Sequence, residues 1–332
     1  MISWIIRRIP ECLFAKSEKI LTSLKIDYFA LEKQRSLLFA EKLQNDFEKT
    51  ILEIAKNKRI MVISKGEYSY AYFNAAYLSN MMGLIFYALY KGCIPRITVN
   101  EGKENCNQWE WYFLQPQDAV WGDVDTSDFK IVQCDRDNWY CPGFSDAFHI
   151  NDTSFQFWNF MFMKFVILNK RTEQYFEQEW KGLPEGSKLA VLIRGTDYVA
   201  LKPKNHPRQP GMEELLAEVD RKCSEKEYRY LYVATEEKRL FDLICDHYGE
   251  GMVLANKRSY YDAYWSSGCQ QIGEVSFQRE NEVFLRGIEY LSSLFIVSRC
   301  DGFVGSNCGG TLVALLLSCK HEDTVVINKG FY

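Results

Sequence analysis

Two apolar runs in the second half of the chain stop abruptly on polar residues and glycine. Leu189-Ala-Val-Leu-Ile leads into Arg194-Gly-Thr-Asp197, and Gly302-Phe-Val-Gly leads into Ser306-Asn-Cys-Gly309-Gly310-Thr311, after which a second apolar run begins. A short unbroken apolar run bounded by turn residues predicts a strand buried on both faces, as in a parallel sheet. The same reading predicts strands over 188–193, 228–234, 251–254, 302–305 and 324–327, with helices over 212–223, 238–247, 281–298 and 311–319 between them. Regular alternation of strand and helix makes this half α/β.

The first half has the same grammar. Residues 18–58 read as helices, with Leu43, Phe47, Ile51 and Ile54 spaced to share one face. A strand follows over 59–64, then a long helix over 74–91 closed by Gly92, then a strand over 95–100, which together form a βαβ unit. Residues 153–180 read as one further long helical stretch, and Gly182-Leu-Pro-Glu-Gly186 is the best boundary signal in the chain. The expected organisation is therefore an α/β domain over 1–182 and a second over 183–332, two Rossmann-like units facing across a cleft.

Composition narrows the classes of function. A length of 332 residues and 47% hydrophobic content suit a large core, and a net charge of −4 without a basic stripe argues against nucleic acid as partner. The eleven cysteines form no Cys-x-x-Cys pair and sit mostly in apolar segments, which fits a reducing cytoplasm and no zinc site. Four dispersed histidines give no support to a catalytic triad. No stretch reaches the length of a membrane span, and the N-terminus lacks the apolar core of a signal peptide. Ile2, Ile5, Ile6, Ile9 and Leu13 share a helical face beside Arg7 and Arg8 that could rest on a membrane surface, though Pro10 interrupts it.

The chemistry concentrates where the two apolar runs end. Arg194 leaves a buried strand followed by Gly195, which would let a ligand approach the backbone, and a guanidinium donates a planar pair of hydrogen bonds well matched to a phosphate. Gly309 and Gly310 stand where a helix begins, so unpaired N–H groups and the positive end of the helix dipole face outward. The bland alternative pairs Arg194 with Asp197 and gives the glycines a packing role. Taken together the two features favour a phosphate clamp.

The run Leu192-Ile-Arg194-Gly-Thr-Asp197-Tyr198 resembles the His-x-Arg-Arg-x-Asp signature of the GDP-fucose-dependent fucosyltransferase superfamily, especially its α1,6, α1,2 and protein O-fucosyltransferase branches. The likeness continues in order through His206-Pro207, Met212-Glu-Glu-Leu215, Leu231-Tyr-Val-Ala-Thr-Glu-Glu237 and Arg286-Gly-Ile-Glu-Tyr-Leu-Ser292 to Gly309-Gly310, about half the chain. The resemblance implies a GT-B-like fold and transfer of a sugar from a nucleotide sugar, GDP-fucose favoured, to a glycan hydroxyl by metal-independent inverting displacement. By residue-wise matching it implies that Arg194 binds the donor diphosphate and assists departure of the leaving group. Thr235, Glu236, Glu289 and the turn Ser306, Asn307, Cys308, Gly309, Gly310 and Thr311 would line the nucleotide pocket. Gly195 and His206 join the donor side, and Asp197 would orient Arg194. Leu192 stands where the family has His, and Gly195 where it has its second Arg.

Other signals compete. Glu67, Glu110 and Asp197 are candidate bases for an acceptor hydroxyl. Asp123-Val-Asp125 has the form that metal-dependent transferases of another fold use, but its setting reads as a surface turn. Tyr68, Tyr70, Tyr72 and Phe73, and Trp109, Trp111, Tyr112 and Phe113, would either border an acceptor cleft or fill the core. His206 and Gln209 lie on a polar loop over 202–211 that could close over a donor. The expected partners are a nucleotide sugar and an oligosaccharide or polysaccharide acceptor, with no cofactor. A non-catalytic sugar-binding relative of the same fold is the alternative, and the absence of Gly-x-Gly-x-x-Gly after the first strand disfavours a dinucleotide oxidoreductase.

Overall fold

The computed structural model describes residues 28–65, 74–99, 107–122, 124–139, 153–269, 272–319 and 322–332. The first half contains α1 (Tyr28–Asn45), α2 (Phe47–Lys56), β1 (Arg59–Lys65), α3 (Ala75–Tyr90), β2 (Ile94–Val99), α4 (Pro116–Trp121), β3 (Lys130–Gln133), α5 (Thr153–Phe165) and α6 (Lys170–Lys181). The second half contains β4 (Lys188–Leu192), α7 (Thr196–Leu201), α8 (Met212–Glu225), β5 (Tyr230–Ala234), α9 (Lys238–Tyr248), β6 (Val253–Leu254), α10 (Tyr264–Ser267), α11 (Glu282–Arg299), β7 (Gly302–Ser306), α12 (Gly309–Leu316) and β8 (Thr324–Ile327). The amphipathic N-terminal face over residues 2–13 lies outside the described residues.

Two parallel sheets result, one in the order β2-β1-β3 and one in the order β6-β5-β4-β7-β8. This is the α/β architecture expected from the alternation of elements. Two local departures have plain causes. The stretch expected as one helix over 153–180 is α5 and α6, because Leu168 leaves the helix to bridge Phe113 and Asn169 caps α6 by accepting from the Thr172 N–H at 2.9 Å. Strand β3 escaped the pattern because it is a short edge strand whose Ile131 is exposed.

Local chemistry sets the helix that matters most to the site. The Asn74 side chain accepts from the Tyr77 N–H at 2.9 Å to start α3, and Gly92, with φ +67°, lets the chain turn out after its end. On β4, successive side chains face opposite sides of the sheet. Ala190 and Leu192 join a core shared with the first half, while Leu189, Val191 and Ile193 pack under α8 and α9 with Leu215, Val219 and Ile244. The shared core runs from Leu84 of α3 and Phe162 of α5 to Leu294 of α11 and Leu312 of α12. Asn159 of α5 stitches the halves by donating to the carbonyls of Leu316 and Ser318, both at 2.9 Å.

Candidate functional site

In the five-stranded sheet the chain leaves β4 toward β5 on one side and returns to β7 on the other. The carboxyl ends of β4 and β7 therefore flank the point where the order of winding reverses, which is where open α/β sheets leave a crevice. A cavity of about 290 Å³ occupies it. Arg194 lines it from the end of β4, Thr235 and Glu236 from the end of β5, and Cys308, Gly309 and Gly310 from the start of α12. Asn74, Ala75 and Ala76, at the start of α3, close it from the other half, and Arg286, Tyr290 and Ser293 of α11 form another wall.

The Arg194 guanidinium is already engaged. It donates to Glu236 at 2.5 Å and to the Thr196 hydroxyl at 3.0 Å, it pairs with Asp197, and it lies 5.0 Å from the centre of the Tyr198 ring. Glu236 also accepts from the Gly195 N–H at 2.7 Å and from the Thr196 hydroxyl at 3.0 Å. The Arg194 N–H donates to the Ser306 hydroxyl at 3.4 Å, which ties the two strand ends together. Thr196 takes φ +44°, a left-handed conformation that a β-branched residue resists, and the fully buried Glu237 holds it by accepting its N–H at 2.5 Å. Four acidic and basic groups, Arg194, Asp197, Glu236 and Glu237, are thus spent on fixing one turn.

Eight of the residues expected at the site line the cavity: Arg194, Asp197, His206, Thr235, Glu236, Cys308, Gly309 and Gly310. The other five sit behind it. At Gly195 a Cβ would fall 2.1 Å from the Glu237 carboxylate, so the protein's own packing calls for glycine there. Ser306 and Thr311 are buried beneath the turn, where the Thr311 hydroxyl donates to the Ser306 carbonyl at 2.6 Å. Asn307 is fully buried, its side-chain amide has no hydrogen-bond partner, and its carbonyl accepts from Gln209 at 3.1 Å. Glu289 faces away from the cavity into an ion-pair cluster, accepting from Arg279 at 2.5 and 3.1 Å and from the Ser259 N–H at 3.2 Å. Gly310 carries a packing role as well as its place in the wall, since a Cβ would stand 3.2 Å from the Tyr290 hydroxyl and 3.7 Å from Leu192 and Leu294.

The loop bearing His206 and Gln209 is held in place. Pro207 bridges Phe331, the Arg208 N–H donates to the Gly330 carbonyl at 2.9 Å, and the Tyr332 N–H donates to the His206 carbonyl at 3.1 Å. Burial pushes the Tyr198 hydroxyl, beside this loop, well above its ordinary pKa, so it stays protonated at any working pH.

Several candidates lie elsewhere. Glu110 accepts from Gln115 at 2.9 Å far along the first half, and Asp125 makes a surface turn by accepting from the Ser127 N–H at 2.9 Å. Asp123, Glu67, Tyr68, Tyr70, Tyr72 and Phe73 lie outside the described residues. Trp109, Tyr112 and Phe113 are core: Trp109 is fully buried against Phe113, and Tyr112 stacks on Phe284 of the second half and donates to its carbonyl at 3.0 Å. Among the described residues no group of three or more His, Cys, Asp or Glu could hold a metal ion, and no helix is long and apolar enough to cross a membrane.

Sequence reading missed Arg258, Tyr261, Tyr290 and Ser293 on the cavity wall. The signal for the α11 members was present, since Arg286, Tyr290 and Ser293 recur at helical spacing as a polar stripe in an apolar helix.

No protein-family model matches the chain, and no curated protein matches it. Solved structures do. The NodZ α-1,6-fucosyltransferase, in a crystal soaked with GDP-fucose, is similar at 13% identity over 78% of this chain and 93% of that one, with a TM-score of 0.46. The fucosyltransferase NodZ from Bradyrhizobium is similar at 12% identity over 78% and 94%, with a TM-score of 0.44. POFUT1 in complex with GDP-fucose is similar at 12% identity over 80% and 97%, with a TM-score of 0.47.

Proposed function

We propose that this chain is a glycosyltransferase that takes a nucleotide sugar, GDP-fucose by preference, and passes the sugar to a hydroxyl of an oligosaccharide or polysaccharide by inverting displacement without a metal. The observation that supports this most directly is the cavity at the reversal point between β4 and β7, walled by guanidinium groups, by the start of α12 and by the start of α3 from the other half. Glycosyl transfer builds negative charge on the departing diphosphate, and a site that stabilises it needs fixed cations or N–H groups aimed at that spot. The N-cap residue of α12, Cys308, turns its thiol to the Thr311 hydroxyl and caps no backbone N–H of the helix, which leaves first-turn N–H groups for an anion. The motif resemblance in the same segment supports the choice of donor. In this reading Asp197 and Glu236 set the geometry of Arg194.

The test is a thermal-shift series with GDP-, UDP-, dTDP- and CMP-sugars. A ligand that binds only the folded chain raises the midpoint with concentration. A rise with GDP-fucose, followed by transfer that survives EDTA, is the expected result; no rise with any nucleotide sugar removes the proposal. A second reading, a sugar-nucleotide-binding protein without transferase activity, is favoured by one feature: Asp197 is tied to Arg194 and Glu110 lies away from the cavity, so neither of the two candidate bases among the described residues is free within it. Donor binding with neither transfer nor slow donor hydrolysis would decide for that reading.

A further inference from the structure

The three guanidinium groups on the cavity wall are not equivalent. Arg194 is flanked by the carboxylates of Asp197 and Glu236. Arg286 pairs with Glu282 and donates to the Gly273 carbonyl at 3.0 Å, its side chain 6% exposed. Arg258 lines the same cavity, yet its Nε is buried with no hydrogen-bond partner, and no ion pair among the described residues includes it. Its contact is with a ring, 5.9 Å from the centre of Tyr260.

This position is built. Arg258 follows β6 in a segment fastened on both sides of it. The buried Asn256 accepts from the Tyr232 hydroxyl at 3.2 Å and donates to the Glu289 carbonyl at 2.8 Å, while the Ser259 N–H donates to the Glu289 carboxylate at 3.2 Å. Glu289 is itself fixed by Arg279. The chain therefore spends two buried polar residues on presenting a cation that it does not neutralise. A guanidinium N–H buried without a partner is costly, and an anion from outside relieves the cost.

We propose that Arg258 is the guanidinium that receives the diphosphate of the donor, and that Arg194 serves as the internal brace of the β4–α7 turn. Glu289 then acts on the donor indirectly, as a positioning residue for the Arg258 segment. The proposal rests on the nucleotide-sugar reading for the identity of the ligand, but the anion it names is a diphosphate whatever the nucleoside.

Calorimetric titration of the full chain with GDP, UDP, guanosine and inorganic pyrophosphate, on the wild type, Arg258→Gln and Arg258→Lys, tests it. Loss of one charge-assisted contact predicts that Arg258→Gln weakens GDP about ten- to a hundredfold, with Arg258→Lys between it and the wild type. Guanosine, which lacks phosphate, binds all three alike, and the ligand-free thermal midpoint of Arg258→Gln stays level or rises because an unpaired charge has been removed. Equal GDP affinity in wild type and Arg258→Gln overturns the assignment while leaving the nucleotide-sugar reading intact. Binding of pyrophosphate through Arg258 without binding of any nucleotide overturns that reading and keeps the anion site. Binding of none of the four ligands by the wild type overturns both.

Discussion

The two halves share a sheet type and a core but bury different things. The first half buries rings: Trp109, Trp158, Phe162 and Phe165 are all 1% exposed or less. The second half buries Thr196, Glu237, Ser306, Asn307 and Thr311, none with measurable exposure. Rings fill volume and need little else, whereas each buried polar group must find a partner or cost stability. A chain that tolerates so many polar groups at one sheet edge is holding a shape there. The first half lends that edge a wall, the start of α3.

If that contrast is right, truncating a ring should separate stability from binding. Trp109→Ala leaves a cavity at a fully buried site and should lower unfolding free energy by about 3–5 kcal/mol, read from denaturant midpoints. In the fraction that stays folded, GDP affinity should be unchanged, and a large loss of affinity would tie the first-half core to the site.

The reverse experiment removes charge from the brace. Glu236→Gln keeps the shape but weakens acceptance from Arg194, the Gly195 N–H and the Thr196 hydroxyl, and should cost about 2–3 kcal/mol of stability while also lowering nucleotide affinity. Loss of stability with intact affinity would make the turn a structural device alone.

A smaller effect is expected at Gly310. Valine there presses on Tyr290, Leu192 and Leu294, which should cost about 1–3 kcal/mol and push an anion off the first turn of α12. Wild-type nucleotide affinity in the folded variant, measured by calorimetry, would leave Gly310 with packing as its whole purpose.

The smallest effect is with pH. Burial works to raise the Glu282 carboxyl, but hydrogen bonds from Arg286 and Arg279 hold it below its ordinary value of 4.5. A depressed carboxylate contributes stability that is present above 4.5 and lost as pH falls through the lower folded value. The thermal midpoint should therefore be level from neutrality to about pH 5 and drop by on the order of a few degrees below it. Glu282→Gln should flatten that drop, and an unchanged acid limb in the variant would assign it to other carboxylates, such as Asp323 beside Lys222.

Much of this was readable in the chain. Buried strands such as Lys188–Leu192 and Gly302–Ser306 announce themselves because both faces are apolar, and their polar ends mark the crevice. Strand β3 did not, because an exposed edge strand has no such pattern to keep. Within the site, residues at strand ends were legible from local sequence alone. Arg258 was not, because a loop after a two-residue strand reaches the cavity only through the winding of the sheet. Gly195 was legible as special, but its packing neighbour was not: it is Glu237, forty-odd residues away in sequence, which no local motif reveals.

The common core running from α3 and α5 through to α11 and α12 has a consequence for how the chain comes apart. Helices that bury their apolar faces on each other across the 182–186 junction cannot melt one half without baring the other. Heating should give a single cooperative heat-absorption peak despite the two sheets, and a cut within Gly182-Leu-Pro-Glu-Gly186 should yield fragments that associate through that surface or aggregate, and neither fragment should stand alone as a folded unit.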